Sequence, residues 1–344
     1  MTDLVPVIDI SEWTSDNGAA RARIAREVDD ACRRIGFLQL VGHAVPEEIR
    51  AGIRRTAAEF FELPPAEKLR YRPPSADVNR GYTAKGTESL AYSLGVDRPP
   101  DLFEAFNISH DVFPADPYFD AERHRFFAPN IWPERPVAMR ATWNAYFDAV
   151  ERLAHRISEI FAVALGMPVG YFADKTDRSI NVLRANFYRR GPDDPAPTEG
   201  QMRMGAHTDY GILTVLMADP VPGLQIVAPD GSWYDVVPRA DGFVVNLGDA
   251  LAVWTNDHWR STMHRVVPPV GRDVPATRQS FAFFHDGNID AVIECLPTCT
   301  TTDDPPRYAP ITLGEHVMGK LLGPRTLRES QATQTIAGRT AAVQ

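Results

Sequence analysis

His207 and Asp209 stand two positions apart in the run Gly205-Ala206-His207-Thr208-Asp209-Tyr210-Gly211. In extended backbone, positions i and i+2 share a face, so one strand edge can present an imidazole nitrogen and a carboxylate oxygen while Thr208 points away. A second histidine, His264, follows 55 positions after Asp209 (264 − 209), enough chain to cross a sheet and return. Two imidazoles and one carboxylate on one face of an ion form the facial triad of non-haem iron sites, which leaves three positions open for oxygen and a substrate or cosubstrate. A lone His-x-Asp is common in proteins that bind no metal. Here, however, the pair sits between glycines and the strand-like Ile212 to Met217, and His264 lies in a second β-like run, Ser261 to Val267. The other histidines, His43, His110, His124, His155, His258, His285 and His316, lack a carboxylate at i+2 in such a setting and read as structural or surface groups.

Arg278 and Ser280 make another i, i+2 pair, in Arg278-Gln279-Ser280-Phe281-Ala282-Phe283-Phe284, an alternating strand that sends both side chains inward. A guanidinium in an apolar interior is costly unless an anion meets it. That anion is either one of the chain's 45 acidic residues or the carboxylate of a cosubstrate, gripped by the planar fork and a hydroxyl donor. Asn186 and Tyr188, in Leu183-Arg184-Ala185-Asn186-Phe187-Tyr188, share one face of a third run, with Arg184 on the same side.

These groups need a β scaffold, and the chain offers one. From Ser179 to about Ile293, short β-rich runs alternate with Gly, Pro, Asp and Asn, the texture of an antiparallel sandwich or barrel. Before it, Ile24, Val28, Ala31 and Ile35 recur at helical spacing, Phe37 to Val41 reads as a strand, and Ile49, Ile53, Ala57 and Phe60 predict a helix between Pro46 and Pro64. Pro114 to Pro136 reads as irregular. The longest expected helix, about Pro136 to Leu165, carries Met139, Trp143, Phe147, Val150, Ile157, Phe161 and Ala164 on one stripe and braces the core. Thr312 and Glu315 form a capping box for a last helix that stops at Gly323-Pro324, with a frayed polar tail from Glu329. The expected division is therefore 1–135, an N-terminal helical and mixed extension; 136–178, a bracing helix; 179–293, the catalytic core; and 294–344, a C-terminal helix and tail.

With 344 residues, 44% of them apolar, the chain can bury one large core. A net charge of −9 and the lack of a polybasic block argue against nucleic acid as a partner. Met1 to Trp13 shows no basic stretch followed by an apolar run, and no membrane-spanning stretch occurs, so a cytoplasmic protein with no membrane partner is expected. Cys32, Cys295 and Cys299, an odd set without CxxC spacing, read as inert thiols. The 32 Arg against 4 Lys point to a GC-rich bacterial genome. The oligomeric state is not legible.

Taken in order, these motifs resemble the isopenicillin-N-synthase-like branch of the iron(II)/2-oxoglutarate-dependent dioxygenases. The resemblance covers Val5-Pro6-Val7-Ile8-Asp9, Gly36 to Leu40, Gly42-His43, Gly205 to Asp209, Gly223-Leu224-Gln225, Val245 to Asp249, Thr255-Asn256, Ser261, His264-Arg265-Val266 and Arg278-Gln279-Ser280. Gly42-His43-Ala44-Val45 departs slightly from the family's usual Asn-His-Gly. The resemblance implies a double-stranded β-helix (jelly-roll) core flanked by helices, and Fe(II) held by His207, Asp209 and His264. It also implies 2-oxoglutarate bound through its distal carboxylate by Arg278, Ser280 and Tyr188, with help from Asn186, and O2 as cosubstrate. The implied reaction is oxidation, by default hydroxylation, of a C–H bond in a small-molecule metabolite, with release of succinate and CO2, in bacterial secondary metabolism. Asp249 matches a position with a structural role. Arg184, Tyr82 and Phe103 are the substrate-side candidates; the aromatics of the segment from Arg80 through Tyr92 and on to Phe106 equally suit a core. Two alternatives stand beside this reading: an oxidase of the same fold that uses no 2-oxoglutarate, like isopenicillin N synthase or aminocyclopropane-carboxylate oxidase, and a binding protein without catalysis.

Overall fold

In the computed structural model, which describes residues 4–14, 16–90, 99–190, 197–268 and 277–326, twelve strands make two facing sheets, and Val292–Ile293 pairs with Ile311–Thr312 in a separate two-stranded sheet. In chain order they are β1 (Val7–Asp9), β2 (Phe37–Val41), β3 (Gly81–Thr83), β4 (Glu104–Ile108), β5 (Val182–Arg189) and β6 (Met204–His207). They continue with β7 (Leu213–Ala218), β8 (Leu224–Val227), β9 (Trp233–Asp235), β10 (Phe243–Leu247), β11 (His264–Val266) and β12 (Thr277–His285). The large sheet runs β1-β2-β10-β7-β12-β5-β4-β3 and the small one β6-β11-β8-β9. From β5 to β12 the chain steps repeatedly between the two sheets and every pair is antiparallel, which is the jelly-roll. The residues ahead of that core widen it: β2 pairs with β10 at one edge, and β4 and β3 extend the other beyond β5.

Each long strand of the large sheet is buried on both faces, and its parity sorts two kinds of side chain. In β12, Phe281 and Phe283 meet the helix Met139–Ala164, with Phe283 5.0 Å from Phe147 and Phe281 6.1 Å from Tyr146 between ring centroids. Arg278, Ser280, Ala282 and Phe284 look the other way, into a cavity between the sheets. In β5, Phe187 stacks on Phe61 at 4.9 Å, while Arg184, Asn186 and Tyr188 line the cavity. The bracing helix buries Met139, Trp143, Phe147, Val150, Ile157 and Phe161 at the expected spacing, and the helices Gly18–Arg34 and Glu47–Phe61 pack on its other side. Burial of one large apolar side chain is worth about 1.5–3 kcal/mol, so this layer holds the sheet rigidly behind the cavity.

Two expectations need adjustment. A short helix, Pro117–Ala121, interrupts the stretch read as irregular, capped by the Asp116 carboxylate on the Tyr118 N–H. The last helix, Leu313–Thr326, forms the expected capping box, with Thr312 Oγ1 2.6 Å from Glu315 Oε2, but continues past Gly323-Pro324. A proline so near a helix end removes only one late hydrogen bond. The tail from Glu329, and Tyr92, lie outside the described residues. None of the described helices is long and apolar enough to cross a membrane.

Candidate active site

β6 ends on His207 and β11 begins on His264, and the register of the pair sets these residues opposite each other, with ring centroids 4.3 Å apart. Asp209 lies two residues beyond the strand end, in the turn toward β7, and its Oδ1 is 3.7 Å from Nε2 of each imidazole. One donor atom from each of the three residues falls within 4.8 Å of the others, and all three side chains are buried. Among the described residues no other such cluster of His, Cys, Asp or Glu occurs.

The surroundings decide which atoms are offered. Nδ1 of His207 is 2.8 Å from the Gly205 carbonyl and Nδ1 of His264 is 3.1 Å from that of Thr262. A carbonyl only accepts, so both Nδ1 carry the proton and both Nε2 lone pairs face Asp209. Asp209 Oδ2 accepts from Asn246 Nδ2 at 2.7 Å and from Thr214 Oγ1 at 2.5 Å, which leaves Oδ1 bare. Burial, and after it the charge of His264, push the His207 imidazole down to about 4, so it stays neutral and basic toward a metal near pH 7. Three donors on one side, with the other side open to the cavity, fit a facial-triad metal and not a closed structural site.

Farther along β12, Arg278 is 1% exposed, and its Nε and Nη1 are buried without any acceptor. Its guanidinium lies 5.1 Å from the Tyr188 ring, directly across the strand pair, with Ser280 opposite Asn186. The alternative of an internal ion pair therefore fails for Arg278: no carboxylate among the described residues meets it. Arg203, which sequence reasoning overlooked, approaches the same phenol at 5.8 Å and also has a buried, unpartnered Nη2. Burial, and then the charge of Arg278, lower its pKa. Two cations with free donors around one phenol make a site for an anion.

Arg184 also lines the cavity, but its charge is paired: Nη2 meets Glu88 at 2.6 Å and Nε donates to Asn186 Oδ1 at 3.0 Å. Phe103 lies under that guanidinium, 5.0 Å away, and supports it without lining the cavity. Tyr82 corrects a second substrate-side expectation. It pairs with Phe106 across β3 and β4 on the helix-facing side, 6.0 Å from Phe60, with its hydroxyl on Glu104. Asp249 has the structural role expected: it accepts from Thr208 Oγ1 at 2.8 Å and from Lys320 Nζ, tying the last helix to the metal-ligand turn. Asp101 holds the Gly205 N–H at 2.9 Å, and burial pushes its carboxyl up to about 7.

Residues 5–135 match a family described as the non-haem dioxygenase in morphine synthesis N-terminal, and residues 179–287 match the 2OG-Fe(II) oxygenase superfamily. The 2-oxoglutarate-Fe(II) type oxidoreductase hxnY of Emericella nidulans is 34% identical over 320 residues, covering 91% of this chain and 88% of its own. The chain belongs to the 2-oxoglutarate/Fe(II)-dependent dioxygenases. This dioxygenase is also 30% identical to the validamycin A dioxygenase of Streptomyces hygroscopicus subsp. limoneus, across 93% of this chain and 86% of that one. Among solved structures, a full-length Neurospora crassa protein in complex with alpha-KG superposes with a TM-score of 0.79 at 31% identity, covering 92% of this chain and 95% of that one. A 2OG-Fe(II) oxygenase family protein from Caulobacter crescentus gives 0.80 at 27%, covering 93% and 99%. The dioxygenase therefore uses Fe(II) and 2-oxoglutarate, and its sandwich is the fold of that family.

Proposed function

We propose that this dioxygenase hydroxylates a C–H bond of a small-molecule metabolite, releasing succinate and CO2, in the cytoplasm and in bacterial secondary metabolism. His207, Asp209 and His264 hold the Fe(II); Arg278, Ser280 and Tyr188 take the distal carboxylate of 2-oxoglutarate, with Asn186 beside them and Arg203 adding a second positive charge. The observation that carries this reading is one cavity containing both an open three-donor metal site and a buried guanidinium without an acceptor. When bound, Fe(II) with 2-oxoglutarate and O2 supplies the oxidising chemistry.

The protein's own residues do the rest. Carbonyl contacts at Nδ1 fix the two imidazoles, and Thr214 and Asn246 fix the carboxylate, so the three donors cannot rotate away. The Arg278 fork sets the direction and depth of the cosubstrate, since a bidentate carboxylate contact fixes geometry as well as charge. Apolar walls from Leu216, Leu224, Val266 and Phe284 exclude water from the reacting C–H bond. Arg184, already paired, shapes the substrate wall and carries no free charge to it. The division at 1–135, 136–178, 179–293 and 294–344 is proposed on the sequence texture described above.

The test is to incubate the enzyme with Fe(II), 2-oxoglutarate, O2 and candidate metabolites of the pathway encoded near its gene, and to read product masses. A product heavier by one oxygen atom is expected. A product lighter by two hydrogens would replace hydroxylation with desaturation.

A further inference from the structure

Arg278 is one of two charged groups on the inward parity of β12 and the residue that follows it that no ion pair among the described residues satisfies. Continuing its parity through Ser280, Ala282 and Phe284 leads to Asp286, the residue after β12, and all five line the cavity. Arg278 and Asp286 are eight positions apart (286 − 278), roughly 26 Å along an extended chain. The metal-ligand turn sits near the Asp286 end: Phe284 pairs with Thr214, whose hydroxyl binds Asp209. Asp286 is thus one inward step beyond the level of the triad, on the side away from the proposed cosubstrate anchor.

Its carboxylate accepts no hydrogen bond and joins no ion pair among the described residues; its N–H alone is engaged, donating to Asn181 Oδ1 at 3.1 Å. Arg80 and Arg125, which line the same cavity, are committed elsewhere. Arg125 holds Glu122, and the three nitrogens of Arg80 donate to the carbonyls of Ala128, Asn79 and Phe126 at 3.1, 2.8 and 2.7 Å. The carboxylate is also seated by the metal-ligand turn, because a Cβ on Gly211 would lie 1.8 Å from Asp286 Oδ1. Only glycine two residues past Asp209 leaves that room. The side chain is half-buried and lines the same apolar-walled cavity.

We propose that Asp286 is a specificity-determining residue that selects a substrate carrying a cationic nitrogen, such as an amine or guanidinium, and holds it beside the metal site. The proposal rests on the dioxygenase reading above and names the substrate class of that site. A hydroxyl or amide donor would satisfy one lone pair but leave the charge uncompensated in an apolar cavity. A cation removes both costs. Its neighbours at that end, Ile180, Val182, Phe284 and Val317, suit an aliphatic or ring body behind the charged group.

The test uses an isosteric pair of probes, n-butylguanidinium and n-butylurea, with pentanoate as the anionic counterpart. Each is titrated anaerobically into the full-length enzyme loaded with Fe(II) and 2-oxoglutarate, following the metal-to-ligand charge-transfer band and, in parallel, calorimetric heat. The expected result is at least a tenfold preference for the guanidinium over the urea in the wild type. In Asp286→Asn that preference should fall within threefold, while 2-oxoglutarate affinity stays unchanged and shows the variant to be folded. Equal binding of the pair, no binding of the guanidinium at millimolar concentration, preference for pentanoate, or preference retained in Asp286→Asn would each overturn the proposal. Loss of Fe(II) affinity in Asp286→Asn with the preference intact would make it a metal-positioning residue instead. Absence of the charge-transfer band in the wild type would overturn the cofactor reading, and calorimetry would still decide Asp286.

Discussion

Replacing Arg278 with Leu should separate cosubstrate binding from folding. In the ligand-free enzyme the Arg278 Nε and Nη1 are buried without acceptors, and the guanidinium is held only by its packing on the Tyr188 ring. An unmet buried polar group costs about 1–3 kcal/mol, and Leu fills similar space without it, so the ligand-free melting temperature should hold or rise. With 2-oxoglutarate bound, the guanidinium meets a carboxylate away from water, and removing one member of such a pair costs about 2–5 kcal/mol, or roughly 30-fold to several thousand-fold in affinity. Ser280, Tyr188 and Arg203 remain around the same point, which places the expected loss toward the lower part of that range, on the order of 100-fold. Anaerobic titration of the Fe(II) enzyme, followed by the charge-transfer band, measures it. Binding of 2-oxobutanoate, which has the chelating end but no distal carboxylate, should not change. An Arg278→Leu enzyme that binds 2-oxoglutarate within threefold of wild type, or loses both acids equally, would refute the placement of the distal carboxylate.

Alanine at His207, Asp209 or His264 should abolish turnover and sharply weaken Fe(II) binding while the fold survives, which metal titration and circular dichroism would check. Arg184→Leu should impair product formation, leave 2-oxoglutarate affinity within about threefold, and cost on the order of 3 kcal/mol in urea unfolding, because it breaks a buried pair with Glu88. His207 and His285 are pushed down to about 4 and about 3, burial being the first cause in each. Their folded forms refuse protons that the unfolded chain accepts, so the metal-free protein should lose stability as pH falls from about 6.5 toward 4. Urea midpoints at pH 7 and pH 5 would show it, and equal midpoints would count against neutral, buried imidazoles. Lys320→Met should destabilise the last helix and the metal-ligand turn together, on the order of 3 kcal/mol, measurable as faster amide exchange at Thr208 to Gly211.

The Arg278-Ser280 pair is legible because strand parity is local: two residues separated by a single position share a face whatever the sheet does. For His207 and Asp209 the His-x-Asp spacing is the signal, but only His207 lies in the strand and Asp209 turns back from the bend after it. His264 could be joined to them only because it lies in a β-like run, and the β6 to β11 register that sets it opposite His207 is a tertiary fact. Asp286 continues the Arg278 parity but carries no signal of its own in the sequence, because an unpaired carboxylate becomes visible only when its possible partners are seen to be occupied. Glu88 and Arg184 lie 96 positions apart and Thr208 and Asp249 lie 41 apart, separations over which no periodicity speaks. For Arg203 the sequence carries no signal. Tyr82 was misread because β3 is three residues long, too short to show its inward side without the register to Phe106. The apolar run Asp249–Trp254, which forms a helix, is ambiguous between strand and helix on composition alone.

The central claim is that the triad and the Arg278 site act together on 2-oxoglutarate. Its most direct test is succinate, quantified by NMR after incubating the enzyme with Fe(II), 2-oxoglutarate and O2, alongside Asp209→Ala. Succinate should accumulate with the wild type, rise further when a substrate is supplied, and stay at background with Asp209→Ala. Unchanged 2-oxoglutarate with the wild type, or succinate formed equally by Asp209→Ala, would contradict the account.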